Sequence, residues 1–298
     1  MNAAAPAWIA SASVRHDRAR ACAEHLSALA ERSLRLEVRT WPKPGLVSHV
    51  DSGSHTDMDA GTFHRSAAAL RPYFAELAEA GMQDADMPVL RKIGLRAECA
   101  MTAATGGVNT HRGAIFGLGL LCAAAGLQAR RGIEGGPSQS LGDTVSRRWG
   151  TDILAGPRPS DSHGEAVKRR YGAGGARQEA ALGFPSVYDI GLPALRHAAQ
   201  LAPRDAQAAR VQACFALIAE LEDTNLLHRG GAAGLRFAQR SARAFLAAGG
   251  VGRPGWRRAA EKIHLAFVAR WLSPGGAADL LAMSLFAMAI EHEHEPAP

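Results

Sequence analysis

The sequence contains little cysteine and few aromatic residues, and each shortage argues against a class of protein. The four cysteines lie far apart in apolar helical segments, which predicts buried reduced thiols and no disulfide framework or zinc site; they are Cys22, Cys99, Cys122 and Cys214. Aromatic residues make up 6% of the chain and do not alternate with the basic runs. Stacking on single-stranded nucleic acid is therefore disfavoured, and we expect no nucleic-acid partner.

The chain also lacks a recognisable targeting or membrane segment. Its N-terminus has neither the basic start nor the long apolar run of a signal peptide. The longest uncharged run, residues 113–129, is rich in glycine and short for a membrane span. We therefore expect a cytoplasmic protein with no membrane partner.

Strand patterns are absent as well, and so are the common nucleotide-binding motifs. Apolar residues instead recur at helical spacing, and residues 114–126 are apolar on every side. We predict an all-α fold in which residues 1–298 form a single compact multi-helix domain around this buried central helix. The predicted helices cover about 15–38, 60–81, 88–104, 114–126, 186–200, 205–222, 234–248, 255–272 and 275–291.

Residues 130–185 are the least regular part and are dense in glycine and arginine. Short helices near 138–149 and 163–171 fit the pattern. We interpret the region either as a mobile insertion or as a solvated basic surface.

Basic residues outnumber acidic ones, giving a net charge of +6, and only four of the 34 basic residues are lysine. Arginine is suited to bidentate recognition of phosphate and carboxylate groups. The alternative explanation is a genome composition that favours arginine, alanine and glycine.

Four polar islands interrupt the apolar helices, at 43–59, 106–113, 222–231 and 273–279. Junctions between helices can converge at one end of a helical domain, so these islands are candidates for a shared site. In the first island, Asp57 and Asp59 stand at a helix start, where capping explains one acid. Mg²⁺ bound through carboxylates and substrate phosphates would explain both.

The second and fourth islands resemble anion sites at helix N-termini. Asn109, His111 and Arg112 follow two glycines, and Ser273, Gly275 and Gly276 precede Asp279 in a final helix. Plain helix capping is the alternative in both places. In the third island, Glu222 and Asp223 are predicted at a helix C-terminus, where the helix dipole disfavours acids. This placement indicates a compensating cation or, alternatively, solvated acids.

These islands also carry a family resemblance. The sequence resembles the triphosphoribosyl-dephospho-CoA synthases, also called ATP:dephospho-CoA triphosphoribosyl transferases, in order from about residue 35 to 290. Arg112 stands where lysine is common in the family, which keeps the charge. The chain, which has no fused second transferase, looks most like the malonate decarboxylase branch. The matching blocks are Pro42–Val47, His55–Asp59 with Phe63 and Ser66, Gly107–Phe116, Glu222–Leu226, His228–Gly231 and Ser273–Leu281.

The resemblance implies transfer of the triphosphoribosyl group of ATP to the ribose 2′-hydroxyl of 3′-dephospho-CoA, with release of adenine. The product is the prosthetic-group precursor for an acyl carrier protein of malonate decarboxylase or citrate lyase, and a carrier-protein transferase would receive it. The oligomeric state is left open.

Each island residue has a role that this chemistry suggests. Asp57 and Asp59 would hold Mg²⁺ on the triphosphate, and Asp223 or Glu222 would be the general base or a second metal ligand. His111 is a candidate acid towards adenine. The candidate substrate or phosphate contacts are Lys43, Asn109, Arg112, Asn225, His228, Arg229, Ser273, Gly275, Gly276 and Asp279.

Two other functions fit the same residues. One is an Mg²⁺-dependent hydrolase of ADP-ribose-like nucleotides, which would transfer the ribosyl group to water. The other is a non-catalytic basic binding module. Release of adenine only in the presence of dephospho-CoA separates the transferase from both.

Overall fold

The computed structural model describes residues 7–133, 139–157 and 174–294, and within those ranges it contains eleven α-helices and no strand. The all-α prediction is confirmed. The helices are α1 (Ala7–Val38), α2 (Ala60–Met82), α3 (Met87–Ala104), α4 (Arg112–Ile133), α5 (Leu141–Ala155), α6 (Gly175–Ala181), α7 (Leu192–Leu201), α8 (Ala206–Glu220), α9 (Thr224–Ala247), α10 (Trp256–Val268) and α11 (Gly275–His294). A π-helix, Ser186–Gly191, precedes α7, and a 3₁₀ turn, Gly250–Gly252, follows α9.

Helix α4 is the central helix, as its apolar sequence predicts. It packs against α1, α2, α3, α5 and α11, and Leu118, Leu121 and Cys122 on it are fully buried. By length and composition α4 could cross a membrane, but 72% of its apolar stretch is buried inside the protein. Its hydrophobic character is therefore explained by its place in the core.

Glycines allow α2 and α4 to approach closely. A Cβ atom on Gly81 would lie 1.9 Å from the carbonyl oxygen of Ala123, and one on Gly126 would lie 2.0 Å from that of Ala78. No side chain fits at either position, because both backbones already touch. This close contact sets how α2 and α4 cross, and the N-terminus of α2 lies next to that of α4 as a result.

Helix α11 joins the two halves of the bundle, because it packs against α1 and α4 on one side and against α8 on the other. In the second half, Phe215 stacks on Phe245 with ring centroids 4.1 Å apart. Phe237 and Phe267 meet at 5.6 Å and tie α9 to α10. The aliphatic and aromatic side chains of both halves thus form one continuous core.

The sequence misplaces one helix boundary that matters for the site. Helix α9 begins at Thr224, ten residues before its predicted start, and continues through a kink at Gly231, which has φ +59°. The third island is therefore mostly helical. Asp223 is not at an unfavourable C-terminus but is the N-cap of α9, where the helix dipole favours an acid.

Smaller differences concern the thiols and the region 130–185. No disulfide joins the four cysteines, all of which the structure describes. Cys122 and Cys214 are buried as predicted, but Cys22 is only partly buried and Cys99 is exposed. Regular helices α5 and α6 flank the middle of 130–185. The predicted helix at 163–171 lies outside the described residues.

Candidate functional site

Four helices begin at one end of the bundle and bring the polar islands together. We call this the junction end, formed by residues 37–66, 109–114, 223–229 and 271–279. The N-termini of α2, α4, α9 and α11 all lie there. Helix N-termini carry partial positive charge and unpaired amide groups, so their convergence favours anions.

Hydrogen bonds hold the loop after α1 in place against the α10–α11 junction. The hydroxyl of Ser54 donates to the carbonyl of Leu272 at 2.7 Å. His55 Nε2 lies 2.9 Å from the Ser273 hydroxyl. A Cβ on Gly45, which has φ +66°, would lie 2.0 Å from the Leu272 carbonyl oxygen. The loop is thus a fitted part of the structure and requires glycine at this position.

Lys43 and Glu37 form an ion pair inside the junction end. The side chains are 1% and 5% exposed, respectively. Burial raises the pKa of Glu37, although Lys43 opposes this shift. A buried ion pair rarely gains stability over an apolar pair, so its presence here indicates a functional reason.

Asp223 connects the N-termini of two helices. Its Oδ1 accepts hydrogen bonds from the amides of Asn225 and Leu226 at 2.8 and 3.2 Å, and its Oδ2 accepts from Ala277 at 3.0 Å. A Cβ on Gly276 would lie 3.0 Å from the same Oδ2. Both carboxylate oxygens are therefore occupied by backbone amides, which gives Asp223 a structural role as a double cap.

Asp279 lies where α11 meets the N-terminus of α4. A Cβ on Gly113 would lie only 2.0 Å from Asp279 Oδ2, and the amide of Ala114 donates to the Asp279 carboxyl. Burial raises the pKa of Asp279 well above its ordinary value, and the nearby carboxylates of Glu37 and Asp223 raise it further. Asp279 nevertheless remains partly exposed. Asp279 is therefore a residue of partial solvent exposure whose carboxyl group has a high proton affinity.

His111 is a buried imidazole with one unused nitrogen. Its Nδ1 lies 2.7 Å from the Ser66 hydroxyl, which also accepts a hydrogen bond from Thr110 at 2.8 Å. Its ring packs edge-on against Phe63, and its Nε2 is buried without a hydrogen-bond partner among the residues that the structure describes. Burial, aided by Lys43 and His64, lowers the pKa of His111 to about 3. His111 is thus neutral at physiological pH.

The two predicted metal ligands are close to the loop surface. Asp59 caps α2 and accepts from the amide and hydroxyl of Thr62, both at 2.8 Å and both through Oδ1. These bonds lower the pKa of Asp59, so its carboxyl is ionised. Asp57 is 60% exposed and lies 3.7 Å from His55. No group of three potential metal-binding side chains occurs among the described residues.

The other predicted contacts lie around the same end. Asn109 Oδ1 accepts a hydrogen bond from the amide of Arg112 at 3.2 Å, at the start of α4. Arg112 pairs with Glu98 at 3.0 Å. Arg229 donates to the carbonyls of Ser54 and Trp271 at 3.0 and 3.1 Å. The remaining predicted residues are buried Ser273, partly buried Gly275 and Gly276, and exposed Glu222, Asn225 and His228.

Comparison with known proteins identifies the family. The model of the ATP:dephospho-CoA triphosphoribosyl transferase family matches residues 23–297. The chain belongs to this family.

Three relatives carry the name probable 2-(5''-triphosphoribosyl)-3'-dephosphocoenzyme-A synthase. The protein of Azotobacter vinelandii is 43% identical over 274 residues, which cover 90% of this chain and 92% of the relative. That of Pseudomonas fluorescens is 44% identical, covering 91% and 93%. That of Acinetobacter calcoaceticus is 39% identical, covering 91% and 92%. A comparison with solved structures found no significant match.

Sequence reasoning missed one residue of the junction end, Glu37. It lies on the apolar face of α1 between Leu34 and Val38, both 1% exposed. An acid within an apolar stripe is itself a signal, and it could have identified Glu37. Ser66 and Thr110 stand in the blocks that resemble the family, but no local pattern predicts their contact, because it joins residues 44 positions apart.

Proposed function

We propose that this protein transfers the triphosphoribosyl group of ATP to the ribose 2′-hydroxyl of 3′-dephospho-CoA, forming 2′-(5″-triphosphoribosyl)-3′-dephospho-CoA and adenine. Membership of the family over residues 23–297 supports the reaction. The structural observation that carries the proposal is the junction end, where buried carboxyl groups meet four helix N-termini. Such a site can hold a polyphosphate and, beside it, a centre of developing positive charge.

The reaction exchanges one bond at C1′ of the ATP ribose for another. The bond from C1′ to adenine breaks, and its electron pair leaves with the base. The 2′-oxygen of dephospho-CoA bonds to C1′, and its proton passes to a general base on the protein. Because C1′ becomes cationic during the exchange, nearby carboxylates stabilise it. Adenine finally takes up one proton, which balances the proton lost by the hydroxyl.

Asp279 is the best candidate for the general base. Asp223 and Glu222 were the sequence-based candidates. The oxygens of Asp223 accept hydrogen bonds from the amides of two helices and the residue is 1% exposed, whereas Glu222 lies exposed beside it. Asp279 is partly exposed and has a single backbone donor, from Ala114. Its raised pKa makes its carboxylate a stronger proton acceptor for a hydroxyl group.

His111 acts as a hydrogen-bond donor or acceptor in this proposal and not as an acid. A pKa of about 3 means that the imidazole carries no extra proton to give at neutral pH. Ser66 and Thr110 fix the ring through Nδ1. The unpartnered Nε2 is then available to a polar group of the bound nucleotide.

Mg²⁺ fits the residues at the start of α2. Two carboxylates together with substrate phosphates are a usual donor set for this ion, and Asp59, whose pKa is lowered by its hydrogen bonds to Thr62, is ionised. Asp57 and Asp59 would hold the ion, which would neutralise charge on the triphosphate when bound. Arg112 and Arg229, both exposed at this end, would contribute further positive charge.

The product would serve as precursor of the prosthetic group of an acyl carrier subunit, in malonate decarboxylase in preference to citrate lyase. We place the protein in the cytoplasm, with a carrier-protein transferase receiving the product.

The test is incubation of the purified protein with ATP, dephospho-CoA and Mg²⁺, followed by measurement of adenine and mass analysis of the nucleotide product. We expect adenine only when both substrates are present and a product mass equal to dephospho-CoA plus a triphosphoribosyl group. Adenine release without dephospho-CoA, or cleavage of ADP-ribose, would favour the hydrolase instead. Replacing exposed Asp152 of α5 with Asn provides a control that should not alter the rate.

A further inference from the structure

A groove rich in arginine runs along the last turns of α1. It is lined by Ala28, Glu31, Arg32, Arg35, Leu36 and Arg39. The three arginines recur at steps of three and four, which places them on one face of the helix and spreads their charges over about 10 Å. This spacing suits an elongated anion better than a single phosphate.

The groove keeps a net positive charge after its internal ion pairs are counted. Glu31 is the one acid that lines it, and it pairs with Arg35 at 2.7 Å and with Arg71 of α2 at 3.6 Å. Arg32 and Arg39 are exposed and make no ion pair with any residue that the structure describes. Two guanidinium groups are thus free to bind a ligand.

The groove adjoins the junction end along the chain, because exposed Arg39 lies within residues 37–66. Burial lowers the pKa of His64 on α2, and the charges of Arg35 and Arg39 lower it further. Burial likewise lowers the pKa of His111, with smaller contributions from Lys43 and His64. His64 Nδ1 and His111 Nε2 are the two buried side-chain polar atoms without a hydrogen-bond partner among the described residues. Unpaired buried polar atoms are rare in folded proteins, so these two nitrogens are candidates for hydrogen bonds to a bound substrate.

We infer that the groove formed by Arg32, Arg35 and Arg39 binds the diphosphate of dephospho-CoA while the triphosphate of ATP occupies the helix N-termini. This inference rests on the proposed function, which requires two polyphosphates in one site. Arginine binds phosphate oxygens in pairs without a metal. The acids that would accompany Mg²⁺, Asp57 and Asp59, lie instead at the start of α2, with the triphosphate.

The experiment separates the two substrates by their KM values. Arg32→Ala and Arg39→Ala should each raise the KM for dephospho-CoA roughly tenfold, since each removes a charged hydrogen bond. The KM for ATP should stay within about twofold. Arg240→Ala is the matched control, because Arg240 is an exposed arginine on α9 outside the groove and the junction end. The KM of Arg39→Lys for dephospho-CoA should lie between the values of Arg39→Ala and the wild type, since lysine keeps the charge but lacks the paired donors of arginine.

An unchanged KM for dephospho-CoA would overturn the inference, and so would an increase confined to ATP, which would place the triphosphate in the groove. Direct binding of dephospho-CoA in the absence of ATP, measured by calorimetry, tests the groove independently of turnover. If wild-type protein binds dephospho-CoA and Arg39→Ala does not, the groove is confirmed even where no adenine is released. Inorganic pyrophosphate should compete with dephospho-CoA for binding to the wild-type protein and to the Arg240→Ala control.

Discussion

The junction end and the surface around α5 contain the same kinds of charged residue but differ in where the charges lie. Around α5, Arg148 contacts Asp84 and Asp86 at 2.5 and 2.6 Å, and the two aspartates are 44% and 73% exposed. At the junction end, Lys43 and Glu37 are almost fully buried. The exposed pairs of Arg148 form with little loss of hydration. Burial of Lys43 and Glu37 has a desolvation cost that other interactions must compensate.

This difference shows that charge density in the sequence does not locate the site. Residues around α5 are as rich in arginine as the junction end, but Arg177 there donates to the backbone carbonyls of Leu154, Gly156 and Pro157 at the end of α5. Cations are favoured at a helix C-terminus, so this arginine has a structural explanation. The buried pair of Lys43 and Glu37 and the raised pKa of Asp279 have no such explanation, which favours a functional role for the junction end.

The largest expected effect is that of Asp279→Asn on catalysis. Loss of a general base lowers a rate by about 10² to 10⁴-fold, so adenine release should fall at least 100-fold while binding of both substrates persists. Steady-state rates and calorimetric titrations measure the two quantities. Asp152→Asn on α5 serves as the control for an exposed acid. A variant that keeps a tenth of the wild-type rate would remove Asp279 from the mechanism.

The second prediction concerns the buried ion pair. Lys43→Met leaves Glu37 buried without its partner, so the free energy of unfolding should fall by about 3–5 kcal/mol. The double variant Lys43→Met, Glu37→Leu removes both charges and should recover part of the loss. Denaturant unfolding of the three proteins gives the comparison.

A surface pair provides the control for that experiment. Arg20 and Glu24 on α1 are 70% and 60% exposed, so Arg20→Ala should cost about 1 kcal/mol or less. If Lys43→Met lowers the free energy of unfolding no more than Arg20→Ala does, then burial does not make the ion pair of the junction end differ energetically from a surface pair.

The third prediction uses two glycines in different regions. Gly113→Ala would place a Cβ atom 2.0 Å from Asp279 Oδ2, so it should destabilise the protein by about 1–3 kcal/mol and slow adenine release. Gly94 on α3 has no neighbouring atom within 4 Å of such a Cβ. Gly94→Ala should therefore stabilise by about 0.4–1 kcal/mol. Equal effects at the two sites would show that the contact between α4 and α11 is looser than the structure indicates.

The sequence predicted what depends on local patterns and missed what depends on distant contacts. Apolar residues at helical spacing were enough to predict a helix at 60–81, and the structure confirms it as α2, Ala60–Met82, with Leu70 and Phe74 buried. The contact between Asp279 and Gly113 joins residues 166 positions apart, and no local pattern encodes it. Asp223 was assigned to the wrong helix end because no glycine or proline marks the short break between α8 and α9.

The smallest expected effect is that of Arg148→Ala on the α5 side. Two partly exposed ion pairs contribute about 1 kcal/mol or less each, and added salt should reduce the difference from wild type. Adenine release should stay within about twofold, because Arg148 contacts residues that lie outside the junction end. The neighbouring exposed Arg147 is the matched control, and its replacement should leave stability within about 0.5 kcal/mol. A tenfold loss of activity in Arg148→Ala would extend the functional surface to α5, because an arginine with only structural partners would then affect catalysis.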